Sequence, residues 1–248
     1  MSKFFNSIQS KIYFLHPFSW YLYLVKKGVP SLYWPLRAKW LEDLKIDTVL
    51  DIGANIGRTA STFRYLFPNA TIHCFEPIPA CYDELLRTVA GDNNCLNYNI
   101  ALGATESTSE INVNSHLPSS SLLALGESHQ TAFPFAQEAS KINIEIKVLD
   151  QFKPTKAFGK STFIKIDVQG FELEVIKGGA ETFKSAKVVL VEMSYDELYS
   201  KQPLFDDIYA VLTELGFKYY GSVGTATNPQ NGLNIQADCI FLNQNKLV

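Results

Sequence analysis

Residues 46–57 read IDTVLDIGANIG, from Ile46 to Gly57. An apolar run, Thr48-Val49-Leu50, ends in Asp51. Gly53, Asn55 and Gly57 follow, and then Arg58-Thr59-Ala60, which can open a helix. The pattern predicts a buried strand, a tight glycine turn and a helix over Asn55–Phe67 with Ala60, Phe63, Leu66 and Phe67 inward. In open α/β sheets this junction is where a nucleotide-like ligand sits.

The spacing narrows the ligand. A dinucleotide turn needs a central glycine so that backbone can approach a pyrophosphate; here that position is Asn55, and the pattern is D-x-G-x-x-x-G. A P-loop needs Gly-Lys-Ser/Thr at its end, and Gly57-Arg58-Thr59 lacks it. The turn therefore suits a nucleoside without a phosphate chain. S-adenosylmethionine has adenosine and an amino-acid tail but no phosphate. An NAD-dependent oxidoreductase is disfavoured on the same ground. Thr71–Phe75 reads as a second strand with Glu76 at its tip, followed by Pro77. A carboxylate about twenty residues past the turn can accept both ribose hydroxyls.

With LDIGANIGRTA, CFEP, NYNIAL, FIKIDVQGFELEVIKGGA and VLVE in that order, the chain resembles the FkbM-type family of S-adenosylmethionine-dependent methyltransferases. The resemblance runs from Thr48 to Glu192. It implies a class I methyltransferase fold: a Rossmann-like, mostly parallel seven-stranded α/β sheet flanked by helices. It also implies O-methylation of a hydroxyl, usually on a sugar or polyketide. The domain expected is residues 46–248, preceded by a helical extension over residues 1–45. The departure from the family pattern is Gln169, where the family usually has Glu. Gln keeps the hydrogen bonding but not the charge.

On this reading the cofactor residues are Asp51, Gly53, Asn55, Gly57, Glu76, Asn99 and Ala101. Asn99 and Ala101 lie in Leu96–Leu102, the expected third strand, near the adenine. In Thr162–Val168, Lys165 and Asp167 share one face of an apolar strand, where charge is costly unless paired or functional. Asp167 and Lys165 are the catalytic candidates, Lys165 either as a neutral base or as a fixed positive charge paired with Asp167. Ala186–Val191 is a further strand ended by Glu192. Asp167 and Glu192 at neighbouring strand ends offer hard oxygens to Mg²⁺, an optional second cofactor. Ser120, Ser121, His129 and Glu192 are the candidate substrate contacts, since hydroxyls exchange hydrogen bonds with hydroxyls.

Elsewhere the pattern predicts helices over Leu36–Leu44, Pro79–Val89, Phe171–Phe183 and Leu204–Leu215. A hairpin appended to the sheet, inserted before Leu149, comprises Glu110–Asn114 and Ile142–Val148. The last strands are Lys218–Val223 and Cys239–Leu242, and the class I methyltransferase topology that the resemblance implies puts the latter antiparallel between its neighbours. Asp150 is placed to cap the helix it opens.

The 248 residues suit one α/β domain with an extension, and 46% apolar residues suffice for its core. The net charge of −3 gives nucleic acid no electrostatic footprint. Four cysteines, Cys74, Cys81, Cys95 and Cys239, show no metal spacing and fit a reducing cytoplasmic compartment. No secretory leader and no membrane-spanning run is read. Residues 1–35 carry ten aromatics from Phe4 to Trp34 and lysines but no acidic residue. They are read as an extension that packs on the domain or a second copy, or as a peripheral membrane arm. The functional expectation is O-methylation of a saccharide or glycosylated metabolite. A non-catalytic methyltransferase-fold binding module is the alternative.

Overall fold

The computed structural model of the protein describes residues 13–114, 121–123, 138–228 and 230–246. The helices are α1 (Pro17–Trp20, continued by a π-helical turn Tyr21–Val25), α2 (Pro30–Leu36), α3 (Lys39–Asp43), α4 (Arg58–Leu66), α5 (Pro79–Thr88), α6 (Glu172–Gly178), α7 (Ala180–Ser185) and α8 (Phe205–Glu214). The strands are β1 (Thr48–Ile52), β2 (Thr71–Phe75), β3 (Cys95–Tyr98), β4 (Ala101–Leu102), β5 (Ser107–Asn114), β6 (Glu138–Lys147), β7 (Thr162–Ile166), β8 (Val188–Ser194), β9 (Phe217–Thr227) and β10 (Asn234–Asn243).

Seven strands form one sheet in the order β3-β2-β1-β7-β8-β10-β9. β1, β2 and β7 are buried along their whole length, as near-continuous apolar runs in a parallel sheet covered on both faces must be. β10 runs antiparallel to both β8 and β9, as the resemblance implies for Cys239–Leu242. The order reverses direction beside β1, and ligands bind at such a switch point outside the carboxyl ends of the strands.

Each face has its own core. On one, Ile52, Ile166, Val191 and Phe241 pack with Val175, Phe183 and Leu212. On the other, Val49, Phe163 and Leu190 pack with Phe63 and Phe67 of the α4 region. Phe163 is fully buried, with ring centroids 5.2 Å from Phe63 and 5.4 Å from Phe67. Truncating such a side chain to Ala costs about 3–5 kcal/mol.

Four local readings are corrected. Leu96–Leu102 is not one strand: it breaks at Asn99-Ile100, where the Asn99 amide turns to donate to the carbonyls of Glu76 (2.8 Å) and Pro77 (3.0 Å). Ala101–Leu102 leaves the main sheet and pairs with β6. The hairpin is accordingly part of a separate three-stranded sheet, β4-β6-β5, rather than an appendage of the large one. The helix over Phe171–Phe183 divides at Gly179. Asp150 caps this second half rather than a helix that it opens itself, accepting from Glu181 N and Thr182 N, both at 2.9 Å. Gly178 allows close packing there, because a Cβ would lie 2.0 Å from Gly103 O.

The described part of the extension packs on α4. Val29 N donates to Thr62 Oγ1 (2.7 Å) and Arg58 to Gly28 O (3.0 Å). His16 is a turn residue, its Nδ1 accepting from Phe18 N at the start of α1. Among the described residues no helix is long and apolar enough to cross a membrane.

Candidate active site

The turn after β1 is left-handed at three places: Gly53 (φ 77°), Asn55 (φ 49°) and Gly57 (φ 82°). Gly53 is obligatory, because a Cβ there would stand 1.9 Å from Asp167 O. This approach brings the ends of β1 and β7 together. The N–H groups of Gly53 and Ala54 both donate to Phe75 O (3.0 Å each), which ties the turn to β2. Asn55 adopts its conformation with its own Oδ1 accepting from Ile56 N.

An open cleft lies over these strand ends. Gly53, Asn55, Glu76, Asp167 and Gln169 supply its polar rim, and Ile100, Ala101, Leu102, Ile144 and Phe171 its apolar wall. The small sheet thus forms one wall of the cleft. Glu76 is 4% exposed. Its Oε2 accepts from Asn55 N (2.8 Å) and its Oε1 from Ile78 N (2.9 Å). Burial pushes its carboxyl up to about 7, against the pull of those two hydrogen bonds. Each oxygen keeps a lone pair, so the group can still accept a pair of vicinal hydroxyls.

Asp51 lies beneath this cleft rather than on its wall. It is fully buried, directly beside Lys165 across the β1–β7 ladder. Lys165 Nζ stands 3.4 Å from Asp51, 3.7 Å from Asp167 and 2.9 Å from Gly53 O, to which it donates. Burial raises the Asp51 carboxyl although Lys165 opposes it. Asn99 also stays off the wall and holds the β2–α5 connection.

The reading of Lys165 as a neutral base is overturned. Burial pulls its ammonium down, but Asp167, Asp51, Asp238 and Glu192 outweigh burial and hold it well above the ordinary lysine value. Lys165 is a fixed cation that ties Gly53 O to the carboxylates on either side.

Gln169 proves central. Its backbone is left-handed (φ 55°), as is that of Gly170 (φ 99°). Its Nε2 donates to Asp167 Oδ1 (2.5 Å) and Glu192 Oε2 (2.8 Å), while Oε1 accepts from the buried Tyr199 hydroxyl (2.7 Å). The reverse amide orientation would aim a carbonyl at two carboxylates. Gln236 donates to the same Glu192 oxygen at 3.0 Å. Glu172, 5% exposed, accepts Val168 N and Gly170 N on one oxygen, both at 3.1 Å. It therefore shapes the loop that carries Gln169.

This arrangement does not fit a divalent cation between Asp167 and Glu192, because amide hydrogens point at both carboxylates. Among the described residues no group of three metal-ligating side chains converges. Ser121 is likewise not a substrate contact. It is 1% exposed, and its hydroxyl donates to Gln169 O (2.6 Å) while accepting from Leu123 N (3.0 Å). Ser120 and His129 lie outside the described residues. Glu192 sits behind Gln169 rather than on the cleft wall. Tyr199 was missed in sequence, since nothing local marks a tyrosine in Ser194–Gln202 as a partner of Gln169.

The strand order, with its antiparallel β10 and a cleft over the ends of β1, β2 and β7, is that of a class I methyltransferase. The family model described as the Methyltransferase FkbM domain matches residues 51–219, more than half of the chain. The chain belongs to that family and is by class an S-adenosylmethionine-dependent methyltransferase.

Three relatives are informative. Methyltransferase sdnD of Sordaria araneosa is 29% identical, over 68% of this chain and 73% of its own length. The 2-O-methyltransferase NoeI of Sinorhizobium fredii is 26% identical, over 62% and 66%. The hexuronic acid methyltransferase AglP of Haloferax volcanii is 30% identical, over 62% and 59%. The match thus spans less than two thirds of the length of the last two.

Proposed function

We propose that the chain transfers a methyl group from S-adenosylmethionine to a hydroxyl of a saccharide or glycosylated metabolite. One observation carries the reading. Glu76, at the tip of β2, has both oxygens anchored by N–H groups and still lines the cleft. That is an acceptor for a ribose diol, with an apolar slot beside it for a purine. The printed names of NoeI and AglP, a 2-O-methyltransferase and a hexuronic acid methyltransferase, support a saccharide acceptor.

When bound, the donor supplies an electrophilic methyl group on its sulfonium, so alignment in line with the acceptor oxygen supplies much of the rate. Asp51 and Lys165 fix the turn from below, through Gly53 O. Asp167 is the polar group one-third exposed at the end of β7. It accepts the hydrogen bond of the acceptor hydroxyl and takes up its proton. Gln169, clamped by Tyr199, holds one Asp167 oxygen and leaves the other toward Lys165. Fixing the base in this way limits its rotation in the ground state.

The test is Asp167→Asn, with S-adenosylhomocysteine release followed over a panel of monosaccharides and uronic acids. Turnover falls by about 10²-fold or more, while S-adenosylhomocysteine binds with nearly unchanged affinity. Wild-type turnover in a folded variant removes Asp167 from the chemistry.

A further inference from the structure

In the segment Pro17–Val25 the exposed positions are Pro17, Trp20, Tyr21, Leu24 and Val25. They recur at i, i+3, i+4, i+7 and i+8, the spacing of one helical face. All are apolar or aromatic. Leu24 and Val25 are 64% and 63% exposed, and the preceding Leu15 is 82% exposed. The opposite side is apolar too, with Phe14 and Leu22 buried. A contiguous exposed apolar face, unlike a scattered exposed leucine, marks an interaction surface.

The face is held in place from behind. Lys26 O accepts from Ser61 Oγ, Gly28 O from Arg58, and Val29 N donates to Thr62. Gly28 has no room for a side chain, because a Cβ would meet Leu22 at 2.5 Å. Ser19 Oγ accepts from Trp34 Nε1 at 2.8 Å and donates to Tyr13 O. The apolar face is therefore a fixed feature of the domain, carried on the first turns of α4 beside the cleft turn.

Its charge setting selects the partner. Residues 1–41 contain Lys3, Lys11, Lys26, Lys27, Arg37 and Lys39 and no Asp or Glu, in a chain whose net charge is −3. Lys26 and Lys27 follow Val25 directly and are exposed. Lys27 approaches Glu84 of α5 at 3.9 Å, with both side chains about half exposed. A second protein copy would be served by an apolar face alone; it gives no reason to exclude carboxylates from the first 41 residues. An anionic bilayer does: it repels carboxylates, takes tryptophan and tyrosine at the headgroup level, and attracts adjacent lysines. With two turns the segment is far too short to span, so it lies on the surface.

We infer that the face formed by Leu15, Trp20, Tyr21, Leu24 and Val25, with Lys26 and Lys27 at its edge, docks the protein on an anionic lipid membrane. The inference is independent of which acceptor is methylated.

Flotation of the full chain with vesicles of phosphatidylcholine, alone or mixed with phosphatidylserine, tests it. The wild type floats with the anionic vesicles, and rising salt weakens the association. The pair Leu24→Glu and Val25→Glu lowers vesicle affinity at least tenfold. Both positions are exposed, and calorimetry with S-adenosylhomocysteine checks that the domain is intact. The pair Lys26→Glu and Lys27→Glu lowers affinity for the anionic vesicles about tenfold or more and leaves phosphatidylcholine binding unchanged. Absence of wild-type binding to anionic vesicles overturns the inference, as does equal binding by the Leu24/Val25 variant. So does a wild-type dimer, seen by mass photometry, that the same variant splits without any vesicle binding: the occupant is then a second copy of the chain.

Discussion

Replacing Glu172 by Gln isolates one buried ionisation. The N–H groups of Val168 and Gly170 that Glu172 accepts land on the same oxygen. A glutamine carbonyl in that place keeps both of these bonds, and the ability to ionise is lost. Burial raises the Glu172 carboxyl from its ordinary 4.5 to about 7, although the backbone N–H groups pull the other way. The folded protein therefore keeps this proton at a pH where the unfolded chain has released it. Below about 4.5 both states are protonated and the group contributes no pH dependence. Between about 4.5 and about 7 the unfolded state binds fewer protons, so the wild type loses stability as pH rises; above about 7 the loss is complete and constant. At roughly 1.4 kcal/mol per pH unit the full window amounts to about 3 kcal/mol. Glutamine has no proton to lose. Glu172→Gln should match the wild type within about 0.5 kcal/mol at pH 4.5 and exceed it by up to about 3 kcal/mol at pH 8.5. Urea denaturation of both proteins across that range, with m-values compared, measures the gap. A gap that does not grow with pH, or a variant less stable than the wild type at pH 8.5, refutes the assignment of Glu172 as a carboxyl buried against its own charge.

Three further outcomes follow from the same geometry. Gly53→Ala places a methyl group 1.9 Å from Asp167 O in a left-handed backbone and should destabilise the fold by more than about 3 kcal/mol; an unchanged melting temperature would mean the β1–β7 approach is wrong. Gln169→Glu removes two amide donors and sets a third carboxylate against Asp167 and Glu192. Its cost should be roughly 2–4 kcal/mol at pH 8 and clearly smaller at pH 6, and equal thermal stability at the two pH values would argue against the bridging amide. Because the Glu76 carboxyl sits at about 7, affinity for S-adenosylhomocysteine should fall as pH drops from 8 to 6; pH-independent binding by calorimetry would place the ribose elsewhere.

The strand–turn–helix at Ile46–Gly57 was legible because each part of it is local. A buried apolar run, glycines at the left-handed positions and a helix start lie within twelve consecutive residues. Glu76 was legible for a similar reason, as the acidic end of the next strand. What failed were features made by distant partners. Leu96–Leu102 reads as one strand, but a side-chain hydrogen bond from Asn99 back to Glu76 and Pro77 turns the chain. Ser121 has the composition of a sugar-facing loop, yet its hydroxyl is used up inside, on the Gln169 carbonyl. The charge of Lys165 could be read, but not its protonation, because the carboxylates around it converge from β1, β8 and β10 as well as its own strand. Gln169 registered only as a departure from a pattern. Its role needs Glu192 and Tyr199, which are 23 and 30 residues away.

The central claim is that Glu76 and the turn at Gly53–Gly57 hold the nucleoside of the methyl donor. Calorimetric titration of the wild type and of Glu76→Ala with S-adenosylhomocysteine tests it most directly. The account predicts micromolar binding by the wild type and a loss of about 10- to 100-fold in the variant, the worth of charge-assisted hydrogen bonds to two hydroxyls. A folded wild type that does not bind, or a variant that binds as tightly as the wild type, contradicts it.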